Sequence, residues 1–398
     1  MAGPFRGVRV VDFGRYIAGP FCAALLGDLG AEVIRVEKRE GRDDRTLISL
    51  GETQDGAPRE GALFLQVNRN KRSLTLDPAA PNGREVMRRL IAGSDVVVAN
   101  LPGPALRAMG LDYDTVAAIN PRAILAIASA FGLEGPYADR VGFDGVAQAM
   151  CGAAWFSGTE EQPMRAAAPW VDFGTASLLA LGVAAALRER DLSGRGQLVE
   201  GALLRTAMSF FSPMLIEEAV LTLERRPTLN RSQTAAPSDL YRTRDGWVTI
   251  AVNGDQLFRR AAKLVGAGEW IEDPRFSSDK ARGDHGDLLS ERVSQWCAAR
   301  RTAEVIKACE AARVPAGPVY RPRETLEDAH VRASDILTEI DFPGIGTAPV
   351  AATPVKLHAT PGDIRRRPPL LGEHNAEILA ELGYSPVEIA SLMKEETV

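Results

Sequence analysis

Apolar and β-branched residues crowd residues 7–13, GVRVVDF, and predict a buried strand. Residues 19–30, GPFCAALLGDLG, switch to helical spacing and end in Gly30, a residue suited to a helix C-terminus. Residues 31–37, AEVIRVE, read as a second strand. Strand, helix and strand in this span make a βαβ unit, with parallel strands and a right-handed crossover. The alternation continues through a short strand (72–77), an amphipathic helix (83–94) and two more strands (95–101 and 123–132). Such a pattern predicts an open, doubly wound α/β region.

Further on the pattern changes. A long helix is expected at about 173–190, closed by the glycine-rich DLSGRGQ, and another at about 199–223. Residues 225–239 are polar and contain proline, as a linker does. LYRTRDGWVTIAV (240–252) reads as a β-hairpin turning at Asp245 and Gly246. It opens a smaller α+β region, residues 240–320. Residues 321–369 are expected to form an extended arm, because six prolines fall between Pro343 and Pro369. Residues 370–398 predict two short helices, the second capped by Ser385, Pro386 and Glu388. Residues 1–224 then form the large α/β region.

In open α/β sheets, ligands sit at the carboxyl ends of the strands. Residues 14–18, 37–42, 100–107 and 132–144 are therefore candidates for one shared site. No GxGxxG follows the first strand and no GxxxxGK[ST] occurs, which argues against a dinucleotide or P-loop site.

Composition narrows the picture. The 398 residues are 45% apolar and 25% charged, an ordinary globular balance for about two domains. A net charge of −5 gives no electrostatic case for a nucleic-acid or membrane partner. Cys22, Cys151, Cys297 and Cys309 are scattered, as reduced thiols of a cytoplasmic protein would be. The opening MAGPFRGVRV has no apolar signal-peptide core, and the longest apolar run, residues 176–187, is short for a bilayer. All four histidines fall after residue 284, which weakens Ser/His/Asp, Cys/His and zinc readings. No metal site is expected.

Several blocks together carry a family resemblance. The opening stretch to EKREGRD, NRNKRSLTLD (68–77), DVVVANLPGPALRAMGLDY (95–113), NPRAILAIASAFGLEGP (120–136), the segment from Asp172 to SGRGQLVEGAL, DGWVTIAV and LLGEHNAEILAELGYS (370–385) stand in order along nearly the whole chain. The sequence resembles the family III CoA-transferases, the CaiB/BaiF or formyl-CoA transferase-like family. That resemblance implies a Rossmann-like large domain built from both chain ends, a smaller central α+β domain, and a homodimer whose chains interlock. It implies CoA transfer from an acyl-CoA donor, such as succinyl-CoA, to a free carboxylic acid. Coenzyme A is then a substrate, and no prosthetic group is expected.

The resemblance also assigns residues. Asp172 matches the family's nucleophilic aspartate; read without it, an Asp before a small-residue helix is an N-cap. Its surroundings depart from the family's DxxTG, since Thr175 is followed by Ala176. Asp144 matches an assisting acid, or is a solvated turn residue. Phe143 stands where the related α-methylacyl-CoA racemases carry a histidine; it cannot take a proton and is expected to contact CoA instead. Arg15, Tyr16, Ile17, Ala18, Lys38, Arg39, Leu76, Asn100 and Leu101 match CoA-contacting positions. An arginine that binds phosphate in some relatives is Ala108 here, with Arg107 adjacent. Residues 251–258 lack the glycine run of formyl-CoA transferases, which argues against oxalate as acceptor. Arg165, Trp170 and Phe173 flank Asp172 and would suit a dicarboxylate, or serve core and surface. An acyl-CoA isomerase or racemase, and a CoA-binding protein without turnover, are the alternatives.

Overall fold

A computed structural model describes residues 3–41, 43–54, 56–395 and 397–398. It divides into two compact units, one of residues 1–151, 166–215 and 330–398, the other of residues 152–165 and 216–329. The first unit thus draws on both ends of the chain.

Its sheet is built from β1 (Arg9–Asp12), β2 (Glu32–Glu37), β3 (Lys71–Thr75), β4 (Val96–Ala99), β5 (Ile124–Ser129) and β6 (Leu198–Ala202). The order is β3-β2-β1-β4-β5-β6 and every pairing is parallel, with Val11 opposite Ile34 on one side and Val97 on the other. This is the doubly wound arrangement, with its switch point between β1 and β4. Helices α1 (Ala18–Asp28), α2 (Ala62–Val67), α3 (Pro81–Ala92), α4 (Gly103–Ala108), α5 (Tyr113–Ile119) and α6 (Asp144–Met150) separate the strands. A single turn, α7 (Ala153–Phe156), lies in the second unit. Helix α8 (Trp170–Ser193) then packs on β5, β6 and α1, and α9 (Leu203–Leu221) follows.

Two expectations change here. Residues 198–202 form strand β6, not the start of a helix; their backbone pairs with β5, so tertiary pairing overrides the local pattern. Helix α8 begins at Trp170 and runs 24 residues, longer than the apolar core suggested. By length and composition it is long and apolar enough to cross a membrane, yet Val171, Leu179 and Val183 are buried against the sheet layer.

The edge strand β3 is closed by the C-terminal segment. Ser73 N donates to His374 Nδ1 at 3.2 Å, His374 N to Ser73 O at 3.1 Å, and Thr75 N to Asn375 Oδ1 at 3.0 Å. The GEHN stretch therefore satisfies an otherwise open sheet edge. Ile378 and Leu379 of a helix at Asn375–Glu381, Leu392 of one at Pro386–Lys394, and Val398 complete the core with Val11, Ile34, Leu74 and Val97. Ser385 caps the last helix, with Glu388 completing the capping box.

The second unit has an antiparallel sheet, β7 (Asp239–Arg242), β8 (Trp247–Ile250) and β9 (Ala316–Pro318), packed on helices around Phe258, Trp270 and Leu289. The proline-rich region 321–369 is not extended throughout. It holds a hairpin of β10 (Leu337–Phe342) and β11 (Gly346–Ala351). Pro349 fits because each strand of a two-stranded ribbon has a free edge.

Candidate active site

Residues 14–18 leave β1 at the switch point and are held by buried charges. Asp12 Oδ1 accepts from Gly14 N at 2.7 Å, and its Oδ2 accepts from Lys71 Nζ at 2.7 Å. Lys71 spends its other two protons on Pro20 O and Asn68 Oδ1, at 2.8 and 2.9 Å. Arg35 donates to Gly14 O at 3.2 Å and to Asp44 Oδ2 at 2.7 Å, and Asp44 Oδ2 also accepts from Tyr16 N at 3.2 Å. Asn100, at the end of β4, brackets Arg15, accepting from its N at 2.7 Å and donating to its O at 2.8 Å. A Cβ on Gly14 would come within 2.6 Å of Pro20 and 2.7 Å of Asp12, so only glycine fits.

With this many anchors Tyr16 is held at φ 58°, a strained value for a side-chain-bearing residue. Burial works to raise the Glu37 carboxyl, but Arg35 and Arg45 outweigh it and hold it at about 2. Burial pulls the Lys71 ammonium down to about 8 against the opposing pull of Asp12. The NRNKR block is thus internal scaffold: Arg69 pairs with Asp28 at 2.6 Å, and Arg72 with Glu377 at 2.8 Å.

Asp172 is the third residue of α8, not its cap. Pro169 precedes the helix and supplies no side-chain cap. The cap comes from Asp144, which opens α6. Its Oδ2 accepts from Val171 N at 2.8 Å and Asp172 N at 3.1 Å, and its Oδ1 accepts from Gln148 Nε2. Gln148 Oε1 in turn accepts from Ala166 N at 2.9 Å, tying down the chain that leads into α8. Asp144 is therefore not the solvated turn residue of the alternative reading; it is 6% exposed.

Burial, and then the neighbouring Asp144 charge, push the Asp172 carboxyl up to about 7. No described residue donates a hydrogen bond to that carboxylate. The amides of its own turn are already engaged. Trp170 N and Phe173 N donate to Ala168 O and Pro169 O, and the two amides between them are taken by Asp144. The N–H groups of Ile17 and Ala18, at the start of α1, have no acceptor among the described residues.

The carboxyl ends of β1, β4 and β5 converge on a cleft of about 280 Å³. Arg15, Tyr16, Ile17, Ala18, Asn100, Leu101, Phe143 and Asp172 line it, so three of the four candidate segments, 14–18, 100–107 and 132–144, contribute to one cleft, whereas no described residue of 37–42 does. Phe143 meets the Tyr16 ring edge-on, with centroids 5.7 Å apart. Asp144 stands behind Asp172 and does not line the cleft. Leu76 does not either; it is 1% exposed and its side chain packs in the sheet core. Lys38, Arg39 and Arg107 are exposed and outside the lining, and Arg42 lies outside the described residues. Trp170 stacks on Phe210 and Phe173 meets Phe21 edge-on, so both pack, while Arg165 belongs to the second unit.

Sequence reasoning did not single out Ser129, Ala130, Leu133, Arg140 or Leu203, which also line the cleft. The carboxyl-end rule marked residues 132–144 as a segment without picking Arg140. Among the described residues, no group of three or more His, Cys, Asp or Glu side chains is placed to hold a metal.

The family CoA-transferase family III matches residues 5–375. A succinyl-CoA–D-citramalate CoA-transferase of Chloroflexus aurantiacus is 33% identical, over 99% of this chain and 98% of its own. A succinate–glutarate CoA-transferase of Agrobacterium fabrum is also 33% identical, over 95% and 96%. The crystal structure of a CAIB/BAIF family protein from Brucella suis superposes with a TM-score of 0.80 at 32% identity, covering 96% of this chain and all of that one.

Proposed function

The chain belongs to the family III CoA-transferases and is a transferase, and from that premise we propose that it moves CoA from succinyl-CoA to a small dicarboxylic acid through covalent intermediates on Asp172. The carrying observation is the state of Asp172. Among the described residues it is the only carboxylate lining the cleft and no hydrogen-bond donor reaches it, and its pKa is raised to about 7. Such a group is a desolvated, available nucleophile near neutral pH. The acceptor class is supported by the two curated relatives, whose names give citramalate and glutarate.

The chemistry closes on itself. Asp172 attacks the donor thioester carbonyl, forming a mixed anhydride and releasing the CoA thiolate. The thiolate attacks the Asp172 carbonyl and expels the donor acid, leaving an aspartyl-CoA thioester. The acceptor carboxylate attacks that thioester, giving an acceptor–aspartyl anhydride and thiolate again. The thiolate attacks the acceptor acyl carbon, and Asp172 leaves as carboxylate. Each addition passes through an oxyanion, and the free N–H groups of Ile17 and Ala18 are our candidates to meet it.

Arg15, Tyr16, Asn100, Leu101 and Phe143 shape the CoA end of the cleft. Lys38, Arg39 and Arg107 are exposed cations for the nucleotide phosphates. The free, buried cysteines suit a cytoplasmic protein. The exposed Leu178 and Leu181 on α8, with Met208 and Phe210 on α9, form the apolar surface expected to be covered in an interlocked homodimer.

The racemase alternative lacks a second base, since Phe143 replaces the histidine. The test is the partial reaction: with succinyl-CoA and labelled succinate and no other acceptor, the protein should exchange label into the thioester, and Asp172→Ala should not. Deuterium entering the substrate α-carbon from solvent, with no succinate exchange, would support the racemase instead.

A further inference from the structure

The proposed chemistry leaves one group of the cleft without a task. Arg140 lines the cleft and makes no ion pair with a described residue. Its guanidinium lies 4.3 Å from the Tyr137 ring centroid and 5.6 Å from that of Phe131, and those two rings pack edge-on at 5.7 Å. Stacking on rings fixes the guanidinium plane while its N–H edges stay open, the geometry that reads a carboxylate through two parallel hydrogen bonds.

The charge balance of the cleft points the same way. Among the described residues its lining holds two guanidiniums, Arg15 and Arg140, against the single carboxylate of Asp172. Once Asp172 is acylated, two cations face no anion. Arg15 sits on the loop after β1, beside the free amides of Ile17 and Ala18. Arg140 follows β5, and β4 lies between β1 and β5 in the sheet. The two cations therefore reach the cleft from opposite sides of the Asn100 segment, and α8, which carries Asp172, packs on the β5 side.

We propose that Arg140, stacked on Tyr137 and Phe131, binds the distal carboxylate of the dicarboxylic acid and so sets the substrate class. This rests on the reading of the protein as a transferase for dicarboxylic acids. A monocarboxylic acid would leave Arg140 unanswered, and a dicarboxylic acid fills it while its other carboxylate reaches Asp172.

The experiment compares glutarate with butyrate as acceptors of CoA from succinyl-CoA, in wild type, Arg140→Gln and Arg140→Lys, alongside calorimetric titration of free CoA. Loss of a charge-assisted pair should lower the preference for glutarate over butyrate about 10-fold or more in Arg140→Gln. Arg140→Lys should fall between. The affinity for free CoA should not change in either variant. A preference unchanged in Arg140→Gln would overturn the assignment to Arg140 alone. Weakened CoA binding would instead make Arg140 a phosphate contact and likewise overturn it. A wild type that uses butyrate as readily as glutarate would overturn the dicarboxylate reading itself.

Discussion

Replacing Asp172 by asparagine should stabilise the protein, and only above acidic pH. The side chain keeps its shape and loses its charge. In the folded protein the Asp172 carboxyl titrates at about 7, against an ordinary 3.8. A folded-state pKa above the unfolded one means that folding favours the proton. The wild type therefore gains from this group below about pH 4, loses that gain between pH 4 and 7, and stays at the lower level above 7. A shift of about 3 units corresponds to ~4 kcal/mol. The N-terminal field of α8 favours the anion and offsets roughly 0.5–1 kcal/mol of that, leaving about 3 kcal/mol. Urea unfolding of wild type and Asp172→Asn at half-unit steps from pH 4 to 8 measures the difference directly. The two proteins should coincide near pH 4 and separate progressively to pH 7. Equal stability at pH 8, or a difference that does not vary with pH, would refute the argument that Asp172 is a desolvated carboxylate beside a second charge.

Other consequences follow from the same geometry. Asp144→Ala removes the acceptor for two α8 amides and should destabilise the protein by about 2 kcal/mol. Removing its charge should also move the acid limb of the transfer pH profile below the pH of about 7 expected for the wild type. Lys71→Met strips Asp12 of its nearest cation, leaving the buried carboxylate to Arg35 at 3.8 Å, and should cost about 3 kcal/mol in denaturant unfolding. Asn100→Ala frees the Arg15 backbone, and calorimetry should show CoA binding weakened about 10-fold, with global stability lowered by only ~1 kcal/mol.

The sheet was legible because its strands are short buried runs with glycine or proline at their ends. Strand β6 was not, since Glu200 and Gly201 break the apolar run and its residues continue straight into α9. The β10–β11 hairpin was hidden by prolines, which rule out a helix but not a two-stranded ribbon. At the site, residues 14–18 and 100–101 were legible from the carboxyl-end rule and the family resemblance. What Asp144 does was not. Its carboxylate caps a helix that begins 26 residues later, a contact that exists only after folding. Arg140 was passed over for a similar reason, because a cation gains its meaning from the two rings beneath it. Leu76 matched by position, and its side chain turns into the core, which the sequence match did not show.

In the proposed reaction, acyl groups and CoA both pass through Asp172. This is tested most directly by mixing the purified protein with succinyl-CoA, trapping with hydroxylamine or borohydride, and mapping peptides by mass spectrometry. A modified Asp172 is expected in the peptide spanning the start of α8, with no modification or exchange in Asp172→Ala. Turnover with Asp172 unmodified, or exchange that survives in Asp172→Ala, would contradict it.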